Sequence, residues 1–150
     1  MRVIAVGKKH EDWVAEGIER YQKRLKRPFD VEWVLLPHSA REGLEARQEE
    51  SERIFSKLGS NDYVILLDER GRLYSSTDLS HLLEEQLTGV RPVSLIIGGA
   101  YGVNETLRHR ANLVWSLSPL VFPHQLVRLL LIEQVYRSQE IAAGRPYHHE

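Results

Sequence analysis

The sequence predicts a single α/β domain over residues 1–150, with a largely parallel sheet and helices on both faces. Three observations predict it. Strand-like and helix-like patterns alternate from end to end, as they do where βα units build a parallel sheet. Residues 63–67 and Val93–Ile97 run apolar, which suits central strands covered on both sides. The length of 150 residues, 42% hydrophobic and 27% charged, is ordinary for one globular domain with its own core. No repeat, linker or low-complexity stretch interrupts it.

Residues 3–6 form a short apolar strand closed by Gly7. Asp12 can cap the helix that follows, where Val14, Ile18, Tyr21 and Leu25 recur at helical spacing. Pro28 ends it. Phe29, Val31, Trp33 and Leu35 then alternate as a half-buried strand, stopped by Pro37. Residues 41–58 read as a charged helix with a thin stripe of Leu44, Ser51, Ile54, Phe55 and Leu58. The strand at 63–67 ends in the turn Asp68-Glu69-Arg70-Gly71. Ser76 or Thr77 caps a helix carrying Leu79, Leu82, Leu83 and Leu87. After the strand Val93–Ile97 come a short helix near Glu105–Arg110, a strand at 113–115 and a helix over His124–Ala142, which Gly144 and Pro146 break.

Composition excludes several chemistries. There is no cysteine, so disulfides, thiolate catalysis and cysteine zinc sites are out. The net charge of −1 leaves any nucleic-acid contact to local basic patches. No apolar run reaches transmembrane length and no secretory pattern opens the chain, so a cytoplasmic location is expected, with no membrane partner.

Candidate sites gather at strand ends. Gly98-Gly99-Ala100-Tyr101-Gly102 follows the fourth strand, either as a ligand cradle or as a tight turn. It matches neither the dinucleotide fingerprint nor a P-loop. The loop Ser116-Leu117-Ser118-Pro119-Leu120-Val121-Phe122-Pro123 is very apolar for a connection. It is either an apolar ligand wall with backbone groups at its edge or a buried joint. Asp68 either meets a ligand or braces its own turn. Lys8 and Lys9 precede the first helix, on which Arg20, Lys23, Arg24 and Arg27 form one basic stripe, able to hold phosphates or simply solvated. Arg128 stands in an apolar helix and needs a partner, with Glu133 one choice and an anionic ligand the other. The tail Tyr147-His148-His149 offers stacking and proton transfer. The histidines show no metal-ligand spacing, and no metal is expected.

Taken together, Leu66-Leu67-Asp68, Leu95-Ile96-Ile97-Gly98-Gly99-Ala100-Tyr101-Gly102, Trp115-Ser116-Leu117-Ser118, Phe122-Pro123-His124-Gln125-Leu126-Val127-Arg128 and Pro146-Tyr147-His148 resemble the RlmH family. Val3-Ile4-Ala5-Val6-Gly7-Lys8 fits as well, so the resemblance spans residues 1–150. The family comprises 23S rRNA (pseudouridine-N3)-methyltransferases of the SPOUT class. The resemblance implies an α/β knot fold with a C-terminal trefoil knot, a homodimer, and S-adenosylmethionine as methyl donor. It implies a donor pocket of Leu67, Gly98, Gly99, Ser118, Pro119, Leu120, Val121, Phe122 and Pro123. The substrate would be N3 of a pseudouridine in 23S rRNA, in the assembled ribosome. In this frame His148 is the first candidate to take the N3 proton, with Tyr147 against the base and Arg128 neutralising charge on it. Arg137 and His149 would join Lys8, Lys9, Arg20, Lys23 and Arg24 against the RNA. His149 stands where the family pattern has Arg or Lys, which exchanges a permanent cation for a titratable one. The competing reading is a noncatalytic nucleotide-binding or ribosome-associated module; a nicotinamide-dependent dehydrogenase lacks its fingerprint.

Overall fold

The structure, a computed structural model, describes residues 1–147. Its elements are β1 (Arg2–Val6), α1 (Asp12–Gln22), β2 (Glu32–Leu36), α2 (Gly43–Phe55), β3 (Tyr63–Leu73), α3 (Ser76–Thr88), β4 (Val93–Ile97), α4 (Glu105–Arg110), β5 (Leu113–Ser116) and α5 (His124–Ala142). The five strands pair in parallel in the order β2-β1-β4-β3-β5. The expected α/β class with a parallel sheet is therefore present.

Strand alternation sorts the core into two layers. Val3, Leu95 and Ile65 stand in register and point to one face; Ile4, Ile96 and Leu66 stand in the next row and point to the other. The first face is covered by α1, α3 and α5 through Val14, Ile18, Leu79, Leu83, Leu131, Ile132 and Val135. The second is covered by α2 and α4 through Ile54 and Leu107. Each fully buried aliphatic side chain contributes roughly 1.5–3 kcal/mol over leaving it in water.

Several local details differ from the sequence reading. Glu11 rather than Asp12 is the N-cap of α1, and Ser75 rather than Ser76 or Thr77 caps α3, its Oγ accepting from the Asp78 N–H at 3.1 Å. The inward stripe of α2 is Ala46, Glu50, Ser51 and Ile54, while Leu44 and Phe55 are exposed. The turn 68–71 does not end β3. Leu67 and Arg72 both pair with Trp115, so those four residues bulge out and the strand then resumes. Gly71 permits this, since a Cβ there would lie 2.7 Å from the Trp115 carbonyl carbon. The bulge carries Asp68, Glu69 and Arg70 over the C-terminal ends of the strands.

Candidate functional site

The bulge in β3 and the loops after β4 and β5 converge on one cavity of about 380 Å³. That volume falls within the range of small-ligand sites, as does its place beyond the C-terminal ends of parallel strands. Apolar wall comes from Leu67, Trp115, Leu117, Phe122 and Val127; the glycine loop supplies the facing backbone. Gly102 has φ +72°, and its N–H donates to the Gly99 carbonyl at 3.0 Å, which closes the loop as a turn. The loop after β5 is braced by its own serines. Ser116 Oγ donates to the Ser118 carbonyl at 2.8 Å, and Ser118 Oγ accepts from the Leu120 N–H at 3.0 Å.

Charge around the cavity is unevenly answered. Asp68 accepts from the Arg70 N–H at 2.9 Å and pairs with the Arg70 and Arg108 guanidiniums. Burial pushes its carboxyl up, but the Arg70 N–H and the two guanidiniums outweigh that and hold it below the usual carboxylate range. His124 opens α5 and lines the cavity. Burial, followed by the charges of Arg128 and His38, lowers its pKa against an opposing pull from Glu50. The imidazole is therefore neutral at physiological pH.

Of the residues the sequence assigns to the donor pocket, Leu67, Gly98, Gly99, Ser118, Leu120, Val121 and Phe122 line this cavity. Pro119 and Pro123 do not line it; they sit in the same loop as its exposed shoulders. Arg128 is elsewhere. It is buried, with its Nη2 donating to the Val6 carbonyl at 2.7 Å and its Nη1 to the Lys9 carbonyl at 2.9 Å. Gly7, at φ +125°, makes room for it, because any Cβ would collide with Nη2. The suggested Arg128–Glu133 pair does not form; Glu133 instead pairs with Arg137 at 2.7 Å. Arg128 thereby fixes the loop bearing Lys8 and Lys9, which are exposed, as are Arg20 on α1 and Lys23 and Arg24 beyond its end at Gln22, so the basic stripe expected on this helix outruns it.

Tyr147 packs against α5. Its ring meets Tyr136 edge-on at 4.9 Å, lies beneath the Arg137 guanidinium, and its hydroxyl donates to Glu133 at 3.3 Å. Burial, then a hydrogen bond to Tyr21 and the charge of Glu133, push its phenol up to about 12. Along α5, Tyr136 is about 18 Å from His124 at the helical rise. The cavity and Tyr147 of one chain thus lie at opposite parts of that helix. His148 and His149 lie outside the described residues. Among the described residues, no group of three His, Cys, Asp or Glu could hold a metal ion, and no helix is long and apolar enough to cross a membrane.

Tyr101 and Leu117 line the cavity from within the two candidate loops, although the pocket implied by the resemblance omits them, and Glu50, which backs the glycine loop, has no place in the sequence reading. For Glu50 a signal existed: Ala46, Glu50 and Ile54 follow i, i+4, i+8, a single helix face.

The comparisons with known proteins agree over the whole chain. The family described as "Predicted SPOUT methyltransferase" matches residues 1–148. A protein of Hahella chejuensis named "Ribosomal RNA large subunit methyltransferase H" is 39% identical over 154 residues, covering 100% of this chain and 99% of its own. Its namesakes from Methylobacillus flagellatus and Leuconostoc mesenteroides are 40% and 42% identical, covering 100% and 99% of this chain and 99% and 98% of theirs. Among solved structures, the SpoU methyltransferase AviRb of Streptomyces viridochromogenes, crystallised with the cofactor AdoMet, is similar with a TM-score of 0.50 at 14% identity. That likeness covers 95% of this chain but only 58% of AviRb, and it concerns the fold.

Proposed function

We propose that this chain, which belongs to the SPOUT methyltransferase family, methylates ribosomal RNA of the large subunit with S-adenosylmethionine as donor. The carrying observation is the match along essentially the full length of both chains to proteins named for that activity. The finer reading is transfer to N3 of a pseudouridine in 23S rRNA, on the assembled ribosome and hence in the cytoplasm.

The cavity suits the donor. Apolar side chains can cover an adenine, and open backbone at the glycine loop and the loop after β5 can meet its polar edge. Bound there, S-adenosylmethionine supplies an activated methyl group on a positively charged sulfur. The chain's own work is alignment, exclusion of water and removal of the N3 proton. We assign proton removal to His148 and contact with the base to Tyr147. Arg128 acts from behind, holding the Lys8–Lys9 loop, while Lys8, Lys9, Arg20, Lys23, Arg24, Arg137 and His149 meet the RNA.

The separation of Tyr147 from the cavity supports a homodimer in which the tail of one copy serves the cavity of the other. Exposed Leu120 and Val121, 69% and 79% accessible, would then be covered. The trefoil knot of the class would form that interface.

The test is methyl transfer from radiolabelled S-adenosylmethionine to ribosomes from a strain lacking this gene, followed by nucleoside analysis. Label in 3-methylpseudouridine is the expected result. Donor binding with no label in any ribosomal nucleoside would sink the reading. Equal labelling of free rRNA fragments would sink its ribosomal part.

A further inference from the structure

A buried acid stands behind the cavity's glycine wall. On α2, Glu45 and Glu52 face water and Glu49 is half-exposed, but Glu50 is only 4% accessible. Its Oε1 accepts from the Ser39 N–H at 2.9 Å and lies 3.7 Å from His38 Nδ1. Among the described residues its Oε2 has no hydrogen-bond partner. That oxygen is aimed at Gly99: a Cβ there would collide with Oε2 and sit 2.9 Å from the Glu50 carboxyl carbon. Gly99 itself lines the cavity. Only a glycine backbone therefore separates the carboxylate from the ligand space.

Nearby cations do not answer this charge. Arg128 is buried at the same end of the sheet, yet its Nη atoms go to the Val6 and Lys9 carbonyls and to His10, and its Nε makes no hydrogen bond among the described residues. His38 approaches the other oxygen and is largely exposed, and His124 is held toward its neutral form. Asp68 also borders the cavity, but Arg70 and Arg108 already neutralise it. A carboxylate buried with one oxygen unpaired is unfavourable in the free protein, and a positive charge entering the adjacent space relieves it.

We infer that Glu50 is a specificity-determining residue of the methyl-donor site, selecting a positively charged sulfonium over the neutral thioether left after transfer. This rests on the methyl-donor reading above. Donor and product share the adenosine and the amino-acid end; they differ in one methyl group and in the charge on sulfur. A fixed anion one residue behind the wall separates them by charge where the apolar walls cannot, and so favours release of product.

The test is calorimetric binding of S-adenosylmethionine, S-adenosylhomocysteine and sinefungin to the full chain and to its Glu50→Gln and Glu50→Asp variants. Sinefungin carries an ammonium-bearing carbon in place of the sulfonium and transfers nothing. Glu50→Gln keeps the shape and removes the charge. It should weaken the two charged ligands about tenfold and the thioether less than twofold. Glu50→Asp should retain most of the preference. The ligand-free Glu50→Gln protein should melt no lower than wild type, because an unpaired buried charge is gone. Equal weakening of all three ligands, or of none, overturns the inference while leaving the donor reading intact. Wild-type protein that binds none of them overturns the donor reading itself, and the inference with it.

Discussion

The two ends of the sheet are built on opposite terms. At the N-terminal ends of the strands, buried Asp62 accepts from Arg2 at 2.7 Å, Ser94 at 2.9 Å and the Gly59 N–H at 3.1 Å. Its carbonyl accepts from Arg91 and Arg110, and Asn112 Oδ1 accepts from the Val64 N–H. At the C-terminal ends, Glu50 Oε2 and Arg128 Nε are the two buried side-chain atoms without a partner among the described residues, and Glu50 backs the glycine wall of a cavity rimmed by exposed Leu120 and Val121. One end spends its polar groups on itself and contributes stability. The other leaves groups available, as a site that must bind something does.

The comparison breaks most easily at Asp62. Asp62→Ala strips the partner from Ser94, which is fully buried, and from Arg2. We expect a loss of about 3 kcal/mol in urea denaturation. Donor affinity of the folded protein should stay within about twofold, since the change is at the far end. Affinity falling in step with stability would show that the two ends are not separable.

Gly99→Ala makes the reciprocal test. Its Cβ meets Glu50, so either the glycine loop or α2 must shift. Donor binding measured by calorimetry should weaken at least about tenfold, with a smaller loss of stability of about 1–2 kcal/mol. A variant that keeps full affinity would remove the glycine wall from the site.

How much of this contrast could be read from sequence depends on the kind of contact. β1, β3 and β4 follow from their apolar runs, α1 from helical spacing and α5 from its long apolar stretch, because local chemistry determines them. The cavity residues Gly98, Gly99 and Phe122 were legible because strand ends that run into glycine or proline mark themselves, whereas Leu67, followed by Asp68, came only with the family resemblance. Glu50 was not assigned, since its burial depends on α2 meeting the glycine loop almost fifty residues later. The fate of Arg128 was likewise hidden: its partners are backbone carbonyls of β1 and the following loop, which carry no sequence mark. The bulge at 68–71 reads as a plain turn until Trp115 is seen to pair on both sides of it.

Acid sharpens the contrast further. Asp62 is lowered below the usual carboxylate range: burial raises it, but the Gly59 N–H, Ser94 and Arg2 outweigh burial. A carboxyl depressed in the folded state contributes stability that is complete above its unfolded pKa of about 4 and is lost as pH falls through the lower folded value. The sign for Asp68 is the same. Asp68, however, divides its charge between Arg108 and Arg70, and the Arg70 side chain is 74% exposed and screened. Denaturation between about pH 2.5 and 7 should therefore show an acid-side loss of about 1–2 kcal/mol, flattened more by Asp62→Asn than by Asp68→Asn. The reverse ranking would place the stabilising charge at the cavity end.

The smallest effect on the single chain is expected at the cavity rim, and there the size of the effect is itself informative. Leu120 and Val121 are exposed and bury only a minor part of their surface within their own chain. The double variant Leu120→Ser, Val121→Ser should therefore change the intrinsic stability of one chain by no more than about 0.5 kcal/mol. If a second copy covers these side chains, the same double variant removes apolar area from the interface at roughly 25 cal/mol per Å². Sedimentation over a concentration series would then show dimers giving way to monomers while denaturation of the monomer hardly moves. Dimers that persist unchanged in the variant would mean that another surface holds them. The tail of one copy would then need a different route to the cavity of the other.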